Sequence, residues 1–299
     1  MKVSVVICTY NRELYLPECL EHLKNQTEAP ENFEIVLVNN NSSDSTEEIC
    51  QKFVADEPQL NVVYVKETQP GLSFARNRGI TTATGDIVCF IDDDGFAVPK
   101  YVSTLKAFAE NDAYKEYISF GGKVIPRYNP GKDPEWLSVY VEGLVSRMDM
   151  GEQVKPFEKK YPVGCNMAYR KEFFEEHGGF NTDLHTRSDE KFVFDKLKKA
   201  NLKILYVPAM EVEHFIDDYR LERSFVIRLA KVIGQSEAIR LKDYGFGTRF
   251  MKVVEYIFKF GASLVLAIPF LFKGQTMKAK YVVMVRWYVF TGFFISKKL

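Results

Sequence analysis

The stretch CFIDDDGFAVP at residues 89–99 ends an apolar run in three adjacent carboxylates, Asp92, Asp93 and Asp94, and then turns through Gly95 and Pro99. Like charges held at the end of a buried strand cost free energy unless a cation sits among them. A divalent metal is the expected occupant. Two other polar clusters follow apolar runs in the same way, Thr9-Tyr10-Asn11-Arg12 and Asn39-Asn40-Asn41-Ser42-Ser43-Asp44.

The elements that must position these groups can be read from the pattern. Residues Val3 to Cys8, Glu34 to Val38, Val62 to Val65 and Ile87 to Ile91 are near-continuous runs of branched and aromatic residues, the signature of strands buried on both faces. Helical spacing separates them. Leu16, Leu20 and Leu23 recur on one face, Ser45-Thr46-Glu47-Glu48 reads as a capping box ahead of Ile49 and Phe53, and a third helix should hold Leu72, Ala75, Arg76 and Ile80. This alternation predicts a doubly wound, mostly parallel sheet, whose ligands bind beyond the carboxyl ends of the strands. The three polar clusters would then face one crevice.

The second half is less regular. Residues 118–126, 163–169 and 203–208 read as strands, residues 188–200 as a helix with Val193 and Leu197 on one face, and Pro126 to Lys160 as a long loop over the site bearing Tyr128, Trp136 and Tyr140. Beyond residue 246 nine Lys or Arg face a single acid, Glu255, so a net charge of zero divides into +8 for the tail and −8 for the first 246 residues. With no net positive charge, nucleic acid is not an expected partner. Phe260 to Phe272, and Tyr281 to Ile295 apart from Arg286, are apolar runs flanked by Lys, and neither uncharged run reaches the roughly 18 to 20 residues of a membrane span. They fit an anionic membrane surface, or two buried helices that close the domain.

The five cysteines show no C-x-x-C pair or zinc spacing, and a reduced, cytosolic setting fits them. The first residues read as a strand rather than a signal peptide, so the sequons at Asn25, Asn40 and Asn41 read as chance matches.

Five motifs, VVICTYNRELYLPECLEHLKNQT, VNNNSSDST, GLSFARNRGITTATGDIVCFIDDD, GCNMAYRKEFFEEHGGFNTDL and SDEKFVFDKL followed by VEHF, cover about residues 3–214. In this order and spacing the chain resembles a family 2 glycosyltransferase of the GT-A fold, an α/β architecture that takes a nucleotide-sugar donor and inverts the anomeric centre. The resemblance implies a nucleotide-sugar-binding half, 1–117, an acceptor-binding half, 118–246, and a basic, apolar helical tail, 247–299. It implies Mn2+ or Mg2+ on Asp94, with Asp92 or Asp93 reaching the ribose or the ion through water, and His214 near the metal or diphosphate. Thr9, Tyr10, Asn11 and Arg12 match the first nucleotide loop. Asn39, followed by Asn41, stands where the family usually has an Asp that accepts from uracil N3–H; uridine stays favoured, although an amide also brings donors that suit another base. Arg76 and Asn77 match the segment near the nucleotide or donor sugar, and Asn166 would line the sugar pocket.

Aligning SDEKFVFDKL with the family's base-bearing helix puts Glu190 on the catalytic carboxylate, with Asp189 as the one-residue alternative. Either could instead be a helix-start carboxylate. His22, His177 and His185 have no comparable context and read as surface or packing residues. The Gly178-Gly179-Phe180 turn resembles the turn before the acceptor-side helix. The implied activity is metal-dependent transfer to a saccharide or lipid-linked acceptor in surface polysaccharide or glycolipid synthesis, at the cytoplasmic face of the cell membrane. A haloacid-type phosphatase is disfavoured because its D-x-D-x-T belongs near the first strand and position 96 is Phe; a nucleotidyltransferase is disfavoured because TYNREL lacks glycine. A non-catalytic nucleotide-sugar-binding or scaffold protein on the same fold remains the alternative.

Overall fold

Along the first strand, Val3, Val5 and Ile7 enter one core and Val6 enters another, and Ile35 and Leu37 divide from Val36 and Val38 in the same way on the second. Period-two alternation with apolar residues at both phases requires cover on both faces. In the computed structural model, which describes residues 1–129, 131–183, 189–242 and 244–295, helices supply that cover. The first elements are β1 (Val3–Thr9), α1 (Leu16–Lys24), β2 (Phe33–Asn39), α2 (Thr46–Asp56), β3 (Val62–Lys66), α3 (Leu72–Thr82), β4 (Ile87–Asp92), β5 (Gly95–Ala97) and α4 (Tyr101–Glu110). There follow β6 (Tyr117–Gly121), β7 (Val124–Tyr128), β8 (Lys155–Pro156), β9 (Met167–Arg170), α5 (Lys171–His177), α6 (Asp189–Lys199), β10 (Lys203–Tyr206) and β11 (Val212–Ile216). Leu16, Leu20 and Leu23 of α1 and Leu105 of α4 pack on one face of the sheet. Ala75 and Ile80 of α3, Phe173 and Phe174 of α5, and Val193 and Leu197 of α6 pack on the other.

The main sheet has the order β3-β2-β1-β4-β9-β6-β10-β8. Its first four strands are parallel, β9 runs antiparallel to both β4 and β6, and β10 returns parallel to β6. The order reverses between β1 and β4, and this is where a ligand crevice opens in such sheets. A small sheet, β5-β11-β7, lies beside it in the topology.

Three local expectations change. Residues 118–126 form two strands, because Gly122 passes so close to Met210 that an added Cβ would lie 1.8 Å from its carbonyl oxygen, and the chain leaves one sheet for the other there. Only Met167–Arg170 of the 163–169 segment is strand; Val163 to Asn166 is a turn closed by Asn166 N–H donating to the Val163 carbonyl at 2.8 Å. The 126–160 loop holds the 3-10 turn Glu142–Val145 and β8, and its Tyr128 and Trp136 are core residues.

The described residues form two compact units, 1–126 with 148–183 and 189–215, and 127–147 with 216–295. Residue 246 lies inside the second. That unit contains α7 (Asp218–Leu221), α8 (Arg223–Arg240), α9 (Phe246–Phe272) and α10 (Thr276–Gly292). Its core joins Tyr128, Trp136 and Val145 to Val226, Leu229, Tyr281, Val285 and Val289, with Trp136 stacked on Tyr281. The helix α9 begins well before the apolar run at 260 and reaches 27 residues, long and apolar enough by length and composition to cross a membrane. The most apolar part of α9 is only 17% buried, and Phe250, Val254, Ile257, Phe258, Leu264, Val265, Ile268, Leu271 and Phe272 form an exposed stripe at helical spacing.

Candidate active site

Parallel register brings three strand ends to one level: Thr9 pairs with Asn39, and Cys8 with Asp92. The loops beyond β1 and β2 are then tied together by their own side chains. Asn11, at φ +52°, accepts from the Ser43 N–H at 2.8 Å and donates its own N–H to the Ser42 hydroxyl at 3.0 Å. Arg12 N–H donates to the Thr46 hydroxyl at 2.8 Å. The helix α2 is capped differently from the expected box: Asp44 accepts from the Thr46 N–H at 3.1 Å and from the Glu13 N–H at 3.2 Å, so one carboxylate serves both loops.

The acidic trio is contacted from three sides, by two guanidinium groups and an imidazole. Arg12 Nε lies 3.3 Å from Asp93 and its Nη2 lies 3.3 Å from Asp94. His214 Nε2 lies 3.0 Å from Asp94, in a residue fixed by the pairing of β11 with Gly95 of β5. Arg76 Nη2 lies 3.4 Å from Asp92. Asp93 and Asp94 are buried while Asp92 is partly exposed. Burial, and then the charge of Asp94, push the Asp93 carboxyl well above its ordinary range, with Arg12 opposing.

Arg76 also joins the trio to α6. Its Nη1 forms a buried ion pair with Asp189, and its Nη2 donates to the Gly164 carbonyl at 3.2 Å. Burial works against ionisation of Asp189, but Arg76 outweighs it and holds that carboxyl below its ordinary range. Glu190 is the partly exposed member of the pair. Desolvation and the adjacent Asp189 charge push its carboxyl up to about 8. One carboxylate is thereby locked and the other is poised to exchange a proton near neutrality.

Several expected ligand residues face inward. Asn166 is fully buried; it accepts from the Tyr101 hydroxyl at 2.8 Å and donates to the Lys123 and Met210 carbonyls at 3.0 and 2.7 Å, so its amide ties three segments of the core together. Asn77 exchanges two hydrogen bonds with the Phe180 backbone, of 2.8 and 2.9 Å, and positions the turn at Gly178, whose φ of +71° favours glycine. Asn39 is buried, donates to the Tyr64 hydroxyl at 3.1 Å and accepts from the Ser42 N–H at 3.0 Å. Asn41, at φ +64°, shapes the turn. Thr9 is buried, whereas Tyr10 is 58% exposed and presents a free ring. His22 donates from Nδ1 to the Ala97 carbonyl at 3.1 Å and packs on Phe96, and His177 packs on Phe173. His185 lies outside the described residues.

A family model described as Glycosyl transferase family 2 matches residues 4–178. The chain belongs to that family. This glycosyltransferase is 29% identical over 236 residues to the glucosyl-dolichyl phosphate glucuronosyltransferase of Haloferax volcanii, covering 76% of the chain and 73% of that protein. Among solved structures it resembles the mannosyltransferase PcManGT of Pyrobaculum calidifontis, in complex with GDP-Man and Mn2+ (TM-score 0.60, 19% identity, 95% of this chain and 85% of that one). It also resembles residues 1–349 of TarS of S. aureus in complex with UDP-GlcNAc (TM-score 0.56, 17% identity, 96% and 91%). The fold is GT-A, with the mixed central sheet flanked by helices and an apolar C-terminal helix. The family acts in glycan or polysaccharide synthesis.

The donor set at the glycosyltransferase crevice suits a divalent cation. Asp92, Cys165 and His214 offer ligand atoms that all lie within 4.8 Å of one another, and Asp94 contacts the same imidazole. Cys165 carried no signal in the sequence, since its partners are remote in the chain and its own segment read as strand. Tyr101 was equally silent, because its role depends on which segment it meets.

Proposed function

We propose that the protein is an inverting glycosyltransferase that moves a sugar from a nucleotide-sugar, with a UDP-sugar favoured, to a hydroxyl of a saccharide or lipid-linked acceptor in cell-surface polysaccharide or glycolipid synthesis. The observation that carries this reading is the Arg76 guanidinium, which touches Asp92 and Asp189 at once and so places the strand end and the base-bearing helix on one crevice. Glu190, with its raised proton affinity, takes the proton of the attacking acceptor hydroxyl. Asp189 stays ionised in its pair with Arg76 and holds the head of α6 in place. Tyr10 offers a face for the base, and Arg12 lies beside Asp93 and Asp94 where the diphosphate would bind.

Asp94, Asp92 and His214 would hold Mn2+ or Mg2+, which when bound neutralises charge developing on the departing diphosphate. Two neighbours of the same fold support the donor class, one solved with GDP-Man and Mn2+, the other with UDP-GlcNAc. The Haloferax relative, by its name, acts on a dolichyl phosphate-linked sugar, which supports a lipid-linked acceptor. The exposed stripe of α9, with Lys273, Lys278 and Lys280 after it, would hold the enzyme on an anionic membrane surface, at the cytoplasmic face where nucleotide-sugars are available.

A thermal-shift series of UDP- and GDP-sugars with and without Mn2+ tests the reading, since a ligand of the folded state raises its apparent stability. A Mn2+-dependent rise with one nucleotide, followed by slow release of nucleoside diphosphate, is expected. Binding with no turnover on any acceptor would point to a donor-binding scaffold, and no binding at all would remove the donor assignment.

A further inference from the structure

Cys165 is buried at the edge of the core, with its thiol beside Asp92 and His214, and the reading above gives it no task. Its position is fixed rather than incidental. It lies in the turn closed by Asn166 N–H to Val163, and the Asn166 side chain anchors that turn through Tyr101, Lys123 and Met210. Asp92 ends β4, and His214 is held by the pairing of β11 with β5. Three potential ligands of different softness therefore come together from three separate segments, a strand end, a turn and a second strand. Among the described residues His214 Nδ1 is buried without a hydrogen-bond partner.

We propose that Asp92, Cys165 and His214 form a mixed carboxylate, thiolate and imidazole site that takes a thiophilic divalent cation such as Zn2+ or Co2+. Metal bonds of roughly 2.0 to 2.3 Å to such ligands place them about 3.5 Å apart, so ligand atoms within 4.8 Å need only a small closing movement. Thiolate and imidazole select Zn2+ and Co2+, whereas Mg2+ and Mn2+ prefer oxygen ligands. A cysteine binds a metal as its thiolate, so the thiol proton of Cys165 must leave when the cation enters. Binding exchanges that proton for the metal, and the proton passes to solvent. The site shares Asp92 and His214 with the proposed donor cation, so a thiophilic metal would compete with Mn2+ there and lower turnover. The proposal deepens the cation reading of this crevice but does not depend on sugar transfer.

Titrating the full-length protein with Co2+ alone tests it. A thiolate-to-cobalt charge-transfer band should grow in the near ultraviolet to one equivalent, fade on addition of Zn2+, survive Cys50→Ser, and vanish in Cys165→Ser. Zn2+ affinity should fall sharply in the Cys165 variant, which loses a direct thiolate ligand. Absence of the band from the wild-type protein overturns the proposal whatever the variants do. Persistence of the band in a Cys165→Ser protein with native near-ultraviolet dichroism also overturns it. Mn2+-dependent nucleotide-sugar binding is measured in parallel: intact donor binding with no cobalt band removes this site alone, and a cobalt band with no donor binding removes the donor assignment alone.

Discussion

Arg76 and Asp189, each with a side chain only 3% exposed, form an ion pair across 113 residues of sequence, and the same guanidinium lies 3.4 Å from Asp92. A planar fork can meet two carboxylates at once, which a lysine ammonium does with far less geometric definition. Arg76→Ala should therefore leave buried Asp189 uncompensated and cost about 3 to 5 kcal/mol of stability. Urea unfolding measures this. Arg76→Lys should recover part of the stability and less of the turnover; a loss below about 1 kcal/mol for the alanine variant would show the pair to be marginal.

Glu190→Gln should lower turnover by roughly a hundredfold to ten-thousandfold while nucleotide-sugar affinity stays within a few fold, because a general base acts on the acceptor and not on the donor. Steady-state kinetics beside calorimetric donor binding checks both parts. Unchanged turnover would take the proton-accepting role away from this residue.

The pH profile carries a second signature. With the Glu190 carboxyl pushed up to about 8, activity should climb along an acid limb near that value. Asp189→Asn removes a charge that raises it, so the limb should move to lower pH. The stability effect has the opposite sense to activity: a carboxyl with a raised folded-state pKa favours the fold at low pH and loses that contribution as pH rises from about 4.5 to about 8. Glu190→Gln should flatten that decline in unfolding free energy.

Glu34 provides the reverse case, away from the site. Burial disfavours its charge, but Lys2, Ser4 and Thr84 outweigh that and lower the carboxyl to about 2. Its contribution is complete above the ordinary value of 4.5 and should drain away as pH falls from there to about 2. Equilibrium unfolding from pH 5 to pH 2 should be less steep in Glu34→Gln.

Membrane attachment is best tested on the intact chain. Ending it at residue 246 would remove Tyr281, Val285 and Val289 from the core of the second unit. Changing exposed Phe258, Leu264 and Phe272 together to Glu leaves that core intact and should cut partition onto anionic vesicles more than tenfold, since each large apolar side chain contributes about 1.5 to 3 kcal/mol when fully buried. Equal flotation of both proteins would mean that α9 does not face lipid.

Much of the fold is legible in sequence where physics is local. The runs at 3–8, 34–38 and 87–91 became β1, β2 and β4, covered on both faces as branched residues at both phases require, whereas the run at 62–65 became β3, the edge strand, whose residues are only half-buried. The capping box misled because Ser45 and Asp44 are both capable caps, and the choice fell to Asp44, which also meets Glu13 from another loop. The strand at 118–126 misled because only the approach of Met210 breaks it at Gly122.

For the site, sequence order alone determined which residue types stand at the strand ends: the aspartates after β4, the TYNR turn after β1, and a carboxylate pair at the head of α6. Tertiary structure decided how they divide the work. Asp189 and Glu190 are adjacent and nearly equivalent in the chain, yet burial against Arg76 fixes the charge of one and leaves the other with a raised proton affinity. Asn39, Asn77 and Asn166 have the right chemistry for ligands, but neighbours brought in by folding occupy their amides, while Cys165 is brought beside Asp92 and His214 in the same way. The reason is common to all of them: hydrogen-bonding capacity and proton affinity depend on what lies within a few ångströms, and that is set by chain segments remote in sequence.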